Sequence, residues 1–559
     1  MNHTYQELAD LIFPEVKQTI EDLEKEYPER NLPKESEVTR FAPSPTGFLH
    51  TGSLFTSLVA YTVAKQSGGV FYTRLEDTDQ KREIEGSGKQ LIDQLKEFNL
   101  APSEGYLGDE EKGSYGPYIQ SKRSEIYKVV IKWLISIGRA YPCFCTAEDL
   151  NELRLTQEAN RVIPGYYGEY AKCRYLSVDE AYERIQKGEK FVIRFKSQGD
   201  HTKYIRIHDE VRGDLDLPEN DQDIVIYKSD GLPTYHFAHL VDDHFMHTTV
   251  VTRGEEWISS LPIHVELFEA CNFRRPKYAH LPVIMKLDNG NKRKLSKRKD
   301  PEAAVSYFLE LGYPVEGIIK YLMTIANSNF EEWLIANPNK DISEFHFSFS
   351  KMSLDGALFD LPKLENICKE TLAYYSKEKI SKEAYAYAKK YSPELKDLIE
   401  RDFDKFESIM NIERGGEKPR KDYTKYSDIY SHIAFFYEDK YLELVKQNSF
   451  EFNPHISNDL TISILEEFKS TNDYSLNEQD WFSSLKALGE RHNFVAQFKL
   501  YKKNPEAYNG HVGDVANMLR VALTTSSRSP NLFNILHILT KEEINKRIDL
   551  AISYLKGEN

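Results

Sequence analysis

Two stretches of the chain carry residue types suited to polyphosphate chemistry. The first runs Arg40-Phe-Ala-Pro-Ser-Pro-Thr-Gly-Phe-Leu-His-Thr-Gly-Ser53. Pro43, Pro45 and Gly47 force a turn, and His50 and Gly52 stand where a run with helical spacing begins. N–H groups at a helix entrance lack intrahelical partners and carry the positive end of the helix dipole, so the place suits an anion. Gly52 lets a base or ribose approach the backbone closely, and His50 can donate a hydrogen bond to a phosphate. The second stretch, residues 291–300, has seven charged residues in ten, six of them basic. It contains Lys294, Ser296, Lys297 and Arg298. A loop carrying Lys297 can neutralise a triphosphate as charge shifts onto leaving pyrophosphate. Alone, the first stretch also reads as a structural turn and the second as a solvated charged loop. Their occurrence in one α/β frame favours chemistry.

The positioning elements can be read from periodicity. Residues 38–41 suit a strand, apolar positions from 51 to 63 recur at helical spacing, Gly68 and Gly69 stop that helix, and residues 70–75 suit a second strand. Strand, helix and strand within about 40 residues make a βαβ unit, which needs a parallel sheet. Further strands are expected at 223–227 and 248–252. Residues 1–37 read as a solvated, acidic helical arm packed on the surface. Past residue 345 the texture becomes long helical runs, including 361–375, 381–391 and 541–555.

These patterns divide the chain into an N-terminal extension (1–37), a sheet domain in two halves (38–140 and 218–344), an inserted segment (141–217) and a helical region (345–559). Of 559 residues, 40 % are hydrophobic and 29 % charged, with 30 Phe and 35 Tyr, so a disordered chain is excluded. No apolar stretch reaches the roughly 20 residues of a membrane span, and the first residues lack the pattern of a signal peptide. The net charge of −15 allows nucleic-acid binding only through a local basic face. Five cysteines with no export signal point to a reducing cytoplasm. Cys143, Cys145 and Cys173 lie together in the inserted segment. Their spacing is compatible with zinc, for which Tyr167, Tyr170 and Tyr175 are candidate fourth ligands, and equally with three reduced thiols.

The pair His50-Thr-Gly-Ser53 and Lys294-Leu-Ser-Lys-Arg298 resembles the two signature motifs of class I aminoacyl-tRNA synthetases. The turn at 40–47, Arg74-Leu-Glu-Asp-Thr-Asp79, Ser229-Asp-Gly-Leu-Pro-Thr-Tyr235, Val241-Asp-Asp243 and Arg253-Gly-Glu-Glu-Trp257 are similar to those of the glutamyl-tRNA synthetases, in that family's order. The glutaminyl branch usually has Glu at the position of Ser44 and Asn at that of Thr46, and ends in β-barrels. The helical tail fits the bacterial glutamyl branch. The resemblance implies an α/β protein: a Rossmann-type parallel-sheet catalytic domain with an inserted acceptor-end domain, then an all-helical anticodon-binding region. It implies a monomeric, cytoplasmic ligase that joins glutamate to ATP and passes the glutamyl group to tRNA(Glu), with Mg²⁺ accompanying ATP and zinc in some relatives.

It also implies roles for residues. Thr46, His50, Gly52, Ser53, Glu256 and Lys297 would serve ATP, with His50, Gly52, Lys294, Ser296 and Lys297 acting in catalysis. Glutamate needs two cationic or multi-donor partners for its carboxylates and an acid for its ammonium. Arg40, Ala42, Ser44, Glu76, Tyr235, His239 and Arg253 would form that site, with Arg40 on the side-chain carboxylate and Glu76 on the ammonium. Relatives often have Asn where this chain has His239. In the tail, Arg414, Lys418, Arg420, Lys421 and Lys425 are interleaved with Tyr423, Tyr426 and Tyr430. Together with Arg520 and the segment 529–533, they resemble an anticodon-binding surface, where stacking and cations read single-stranded RNA; Arg414, Arg420, Lys421 and Arg520 are the expected contacts. Two other readings remain compatible: a nucleotidyl-transferring enzyme that activates a small acid without tRNA, and a catalytically silent tRNA-binding paralogue.

Overall fold

The structure is a computed structural model that describes residues 3–79, 83–296, 298–447 and 450–558. The chain forms two compact units. The first comprises Met1–Leu309 and Ile318–Leu361, the second Glu310–Gly317 and Pro362–Asn559. No helix among the described residues is long and apolar enough to cross a membrane.

In the first unit, helices α1 (Tyr5–Ile12) and α2 (Ile20–Glu26) precede strand β1 (Val38–Phe41), helix α3 (Thr51–Gln66) and strand β2 (Val70–Thr73). Helix α4 (Ser87–Glu97) leads to β3 (Glu104–Tyr106) and β4 (Glu111–Lys112). Strands β1, β2 and β3 pair in parallel, as the βαβ pattern requires. Helix α5 (Ser124–Ser136) follows, then β5 (Ala140–Cys143), α6 (Ala147–Ala159), α7 (Val178–Gln186), β6 (Val192–Phe195), β7 (Tyr204–Asp209), β8 (Gly213–Pro218) and β9 (Val225–Tyr227). Helix α8 (Tyr235–Phe245), β10 (Val250–Gly254), α9 (Leu261–Cys271), β11 (Lys277–Leu281), β12 (Ile284–Asp288) and β13 (Asn291–Lys294) complete the frame. Strands β10 and β11 are parallel, and β10 is tied beside β1 where the Thr249 N–H donates to Val38 O at 2.9 Å.

The strand pairings cut across the bounds 141–217 expected for an inserted segment. Strand β9, expected with the parallel sheet, pairs antiparallel with β6, which pairs antiparallel with β5. The hairpin β7–β8, almost all of whose residues fall within the expected bounds 141–217, joins the parallel sheet, with Asp209 opposite Tyr278 of β11. Its inward positions explain the choice: Ile207 and Asp209 are buried while Tyr204, Arg206 and His208 face solvent.

The N-terminal arm is not simply solvated. Leu8, Ala9, Phe13, Val16, Leu23 and Tyr27 are buried in one core with α5, α8 and residues of β6 and β9. Thr4 and Thr19 cap α1 and α2 through capping boxes. Arg30 pairs with Glu104 across a buried 2.6 Å bridge.

The second unit is mainly helical, with runs at Leu361–Tyr374, Lys377–Tyr391, Val512–Thr524 and Lys541–Lys556, but the region from 345 is not all helix: Ala357–Leu358 pairs with β12, and the short strands Phe494–Val495 and Gly510–His511 pair in parallel. They bury a separate apolar core that includes Phe406, Ile429, Phe436, Trp481 and Leu519. This unit begins its main run at Pro362, later than the texture change at residue 345.

Candidate active site

The turn after β1 is held from both sides. The Glu76 N–H donates to Pro43 O at 2.9 Å, and Ser44 Oγ donates to Glu76 O at 2.9 Å. Gly47 has φ +134°, a conformation that side-chain-bearing residues rarely adopt. His50 is the N-cap of α3, its Nδ1 accepting the Gly52 N–H at 2.9 Å. That bond puts the imidazole proton on Nε2, which therefore donates. A Cβ on Gly52 would sit 3.1 Å from His50 Nδ1, so glycine keeps the ring in place. The N-terminal end of α3 is also tied to the segment after the basic loop: Thr51 Oγ1 donates to Glu302 O at 2.6 Å, and the Val305 N–H to Leu49 O at 3.2 Å.

The basic stretch splits into β13 and a tight loop. Asp300 accepts from Arg293 Nη1 at 2.6 Å, Arg293 Nη2 at 2.9 Å and the Ser296 N–H at 2.8 Å. Arg293 holds the Asp300 carboxyl far below its usual range, so the loop is braced by a permanent anion. Lys294 Nζ reaches Glu256 at 2.9 Å. Lys297 lies outside the described residues.

A cavity of about 1130 Å³ opens at the C-terminal ends of β1, β2 and β10, where open parallel sheets bind ligands. Arg40, Ala42, Ser44, Thr46, His50, Gly52, Ser53, Glu76, Tyr235, Arg253, Glu256 and Lys294 all line it. His239 and Ser296 do not. Trp257 also lines it, with its ring 4.5 Å from that of Tyr235; sequence reasoning quoted Trp257 only as part of a motif.

The floor is a buried charge network. Asp243 accepts from Arg74 Nη1 at 2.7 Å and from Arg40 Nε at 3.3 Å. Burial would raise its pKa, but the two arginines outweigh that and hold it well below the usual carboxylate range. Glu76 pairs with Arg74 at 3.0 Å, yet burial leaves its pKa raised. His239 lies behind Tyr235, its Nδ1 2.6 Å from Asp243 and its Nε2 2.9 Å from the Tyr278 hydroxyl. Burial pushes its pKa down to about 4 despite Asp243.

The three inserted-segment cysteines converge, with their sulfurs within 4.8 Å of one another. Cys145 Sγ lies 3.7 Å from Cys173 Sγ. The phenol at the cluster is Tyr166, which sequence reasoning did not name. Its hydroxyl is 3.4 Å from Cys143 Sγ and 3.3 Å from Cys145 Sγ. Tyr167 instead donates to Ile163 O, and Tyr175 is 66 % exposed. Hydrogen bonding from Cys173, against burial, lowers the Cys143 pKa to about 4. The same hydrogen bond pushes the Cys173 thiol up, and burial raises that of Cys145, so binding a metal there would release their protons.

In the second unit, Arg420 and Arg520 both donate to Ser529 O, at 3.0 and 2.9 Å. They line a cavity of about 800 Å³ with Trp481 and Phe533. Lys421 pairs with Glu370. Arg414 donates to the carbonyls of Leu372, Ala373, Tyr375 and Met410, so its guanidinium closes helix ends.

Residues 37–355 match the family described as tRNA synthetases class I (E and Q), catalytic domain, and residues 420–552 match an anticodon binding domain. The chain belongs to the class I (E and Q) tRNA synthetases. Among its relatives, a chain of Clostridium beijerinckii named glutamate–tRNA ligase is 46 % identical, over 98 % of this chain and 99 % of its own. One of Acetivibrio thermocellus with the same name is 45 % identical, over 97 % and 99 %. A solved glutamate tRNA ligase of Elizabethkingia meningosepticum, in complex with its amino acid, superposes with a TM-score of 0.71 at 28 % identity, covering 93 % of this chain and all of that one.

Proposed function

We infer that this chain is a glutamate–tRNA ligase. It activates glutamate with ATP to glutamyl-adenylate and pyrophosphate, then transfers the glutamyl group to the 3′ end of tRNA(Glu). The observation that carries this is near-full-length identity of 45–46 % to glutamate–tRNA ligases, joined to a cavity lined by twelve of the residues that the motifs single out.

No covalent enzyme intermediate is needed, so catalysis is positioning and charge stabilisation. In our reading Arg40 and Arg253 take carboxylates of glutamate, with Tyr235 donating beside them. Glu76 takes the ammonium, and Ser44 and Ala42 shape the turn around it. His50 donates from Nε2 to an ATP phosphate at the entrance of α3, where Thr46, Gly52 and Ser53 border the nucleotide. Lys294, paired with Glu256, and Ser296 belong to the loop that carries Lys297, whose role rests on the motif alone. Mg²⁺ enters with the phosphates of ATP, as it usually does in such sites.

The cysteine cluster fits zinc. A tetrahedral zinc with Zn–S of about 2.3 Å has an S–S edge of about 3.8 Å, close to the 3.7 Å between Cys145 and Cys173. Cys143, Cys145 and Cys173 would hold it with Tyr166 as the fourth donor, and its contribution would be structural. Arg420, Lys421 and Arg520 offer cations to the anticodon arm, and Arg414 supports them by ordering the helix ends. The setting is the cytoplasm and the working form a monomer.

The test is charging of purified tRNA(Glu) and tRNA(Gln) with labelled glutamate, alongside ATP–pyrophosphate exchange with and without tRNA. Glutamylation of tRNA(Glu), and exchange only when tRNA is present, are expected. Exchange that ignores tRNA, or no charging at all, would overturn the assignment.

A further inference from the structure

Four buried arginines meet around the cavity floor, and their partners are not alike. Arg40, Arg74 and Arg123 stand against Asp242, Asp243 and Glu76. Arg123 Nε donates to Asp242 at 2.6 Å, Arg74 bridges Asp243 and Glu76, and Arg40 reaches Asp243. Three guanidinium groups there face three carboxylates. Arg253 is 5 % exposed and has no carboxylate within salt-bridge reach among the described residues. Its Nε donates to His280 Nε2 at 2.9 Å, and its Nη1 and Nη2 each lie 3.3 Å from His264 Nδ1. It also reaches Trp257 O at 3.5 Å and lies over the Tyr278 ring, 4.9 Å from its centroid.

The state of both rings follows from these neighbours. A guanidinium has donors only, so His280 Nε2 and His264 Nδ1 must both present lone pairs. The His280 proton is then on Nδ1, 2.6 Å from Asp209 Oδ2, and the His264 proton on Nε2, 2.9 Å from His236 Nδ1. Asp209 is itself fixed by the N–H groups of His280, Val211 and Arg212 at 3.0–3.1 Å. Burial holds both histidines below their ordinary range, so they stay neutral.

Resting on the glutamate reading above, we propose that His280, seated by Asp209, and His264 are positioning residues that aim Arg253 while leaving its charge free for the substrate. With Arg253, the arginine and carboxylate set carries one net positive charge. Glutamate brings two carboxylates and one ammonium, a net single negative charge, and completes the balance. Glutamine is net neutral, and would leave the set with one buried positive charge uncompensated. A carboxylate in place of either ring would neutralise Arg253 before any substrate arrived. Neutral acceptors orient the guanidinium without spending its charge.

The test uses His280→Gln and His280→Glu in the full chain, read by exchange with tRNA present and by thermal unfolding. Both substitutions offer an oxygen acceptor of nearly the same shape; Gln keeps an N–H donor for Asp209, whereas Glu puts a negative charge beside Arg253 and brings no donor. The glutamate KM of H280E is expected about 100-fold above that of H280Q, with the same ATP KM in both. Equal glutamate KM values would overturn the proposal. Should H280E not fold, Asp209→Asn decides: it releases the grip on His280 and should raise the glutamate KM about tenfold, with ATP KM unmoved. An unmoved glutamate KM would overturn the proposal. Wild-type exchange that does not depend on glutamate would overturn the functional reading, and this proposal with it. Glutamate-dependent wild-type exchange with variants that do not separate overturns the proposal alone.

Discussion

His50 serves two roles that substitution can separate. Its Nδ1 caps α3, which leaves the proton on Nε2, and the residue lines the cavity. Asparagine can cap a helix but has nothing where Nε2 stood. His50→Asn should therefore keep stability within a few tenths of a kcal/mol, whereas His50→Ala should lose about 1 kcal/mol. Both should lower kcat by about 10²-fold, since each removes the phosphate donor. Denaturant unfolding and exchange rates check the two halves. Glu76 gives a pH prediction. Its pKa is raised by burial, so on acidification it loses its charge before an ordinary carboxylate does. On acidification the glutamate KM should climb at a higher pH than an ordinary carboxylate would produce, and Glu76→Gln should show a high KM without that rise. For stability the sign is the reverse of that for Asp243. The lowered Asp243 pKa stabilises the fold above its unfolded value, and that contribution is lost only as pH falls through the lower folded value. His50, Gly52 and Arg40 were legible because a strand, a turn and a helix follow one another within 30 residues. Asp209 and His280 were not. They are 71 residues apart in the chain, and only the pairing of β7 with β11 brings them together.

Among the elements, the insertion shows the same limit. Its three cysteines announced a cluster, but Tyr166 stands beside Tyr167 in the sequence, and spacing could not choose between them. The hairpin β7–β8 was legible in part: its alternation of buried and exposed residues is a strand pattern, yet nothing local says which sheet it joins. If zinc occupies the cluster, protein purified without added zinc should contain about one equivalent per chain. Cys145→Ser should lose most of it, and metal analysis with chelator-dependent unfolding is the check. Little metal in the wild type, with unfolding indifferent to chelator, would leave three reduced thiols.

For the whole molecule, a net charge of −15 means that RNA is repelled except along local basic faces. Replacing Arg420 and Lys421 by Glu should raise the KM for tRNA(Glu) at least about tenfold while leaving the glutamate KM unmoved. The slope of tRNA affinity against salt should fall by about one for each phosphate that no longer meets a cation. Filter binding over a salt series measures both. Exchange of parts between relatives is constrained by where β7 and β8 lie. They fall within the expected insertion, yet β7 ends at Asp209 in the parallel sheet and supports His280 and hence Arg253. A chimaera cut at residues 141 and 217 would thus carry away the support of the residues lining the host's own cavity along with the inserted segment. A graft that keeps residues 204–218 with the host exchanges two separate pieces of chain, 140–203 and 219–227, and leaves the pocket intact.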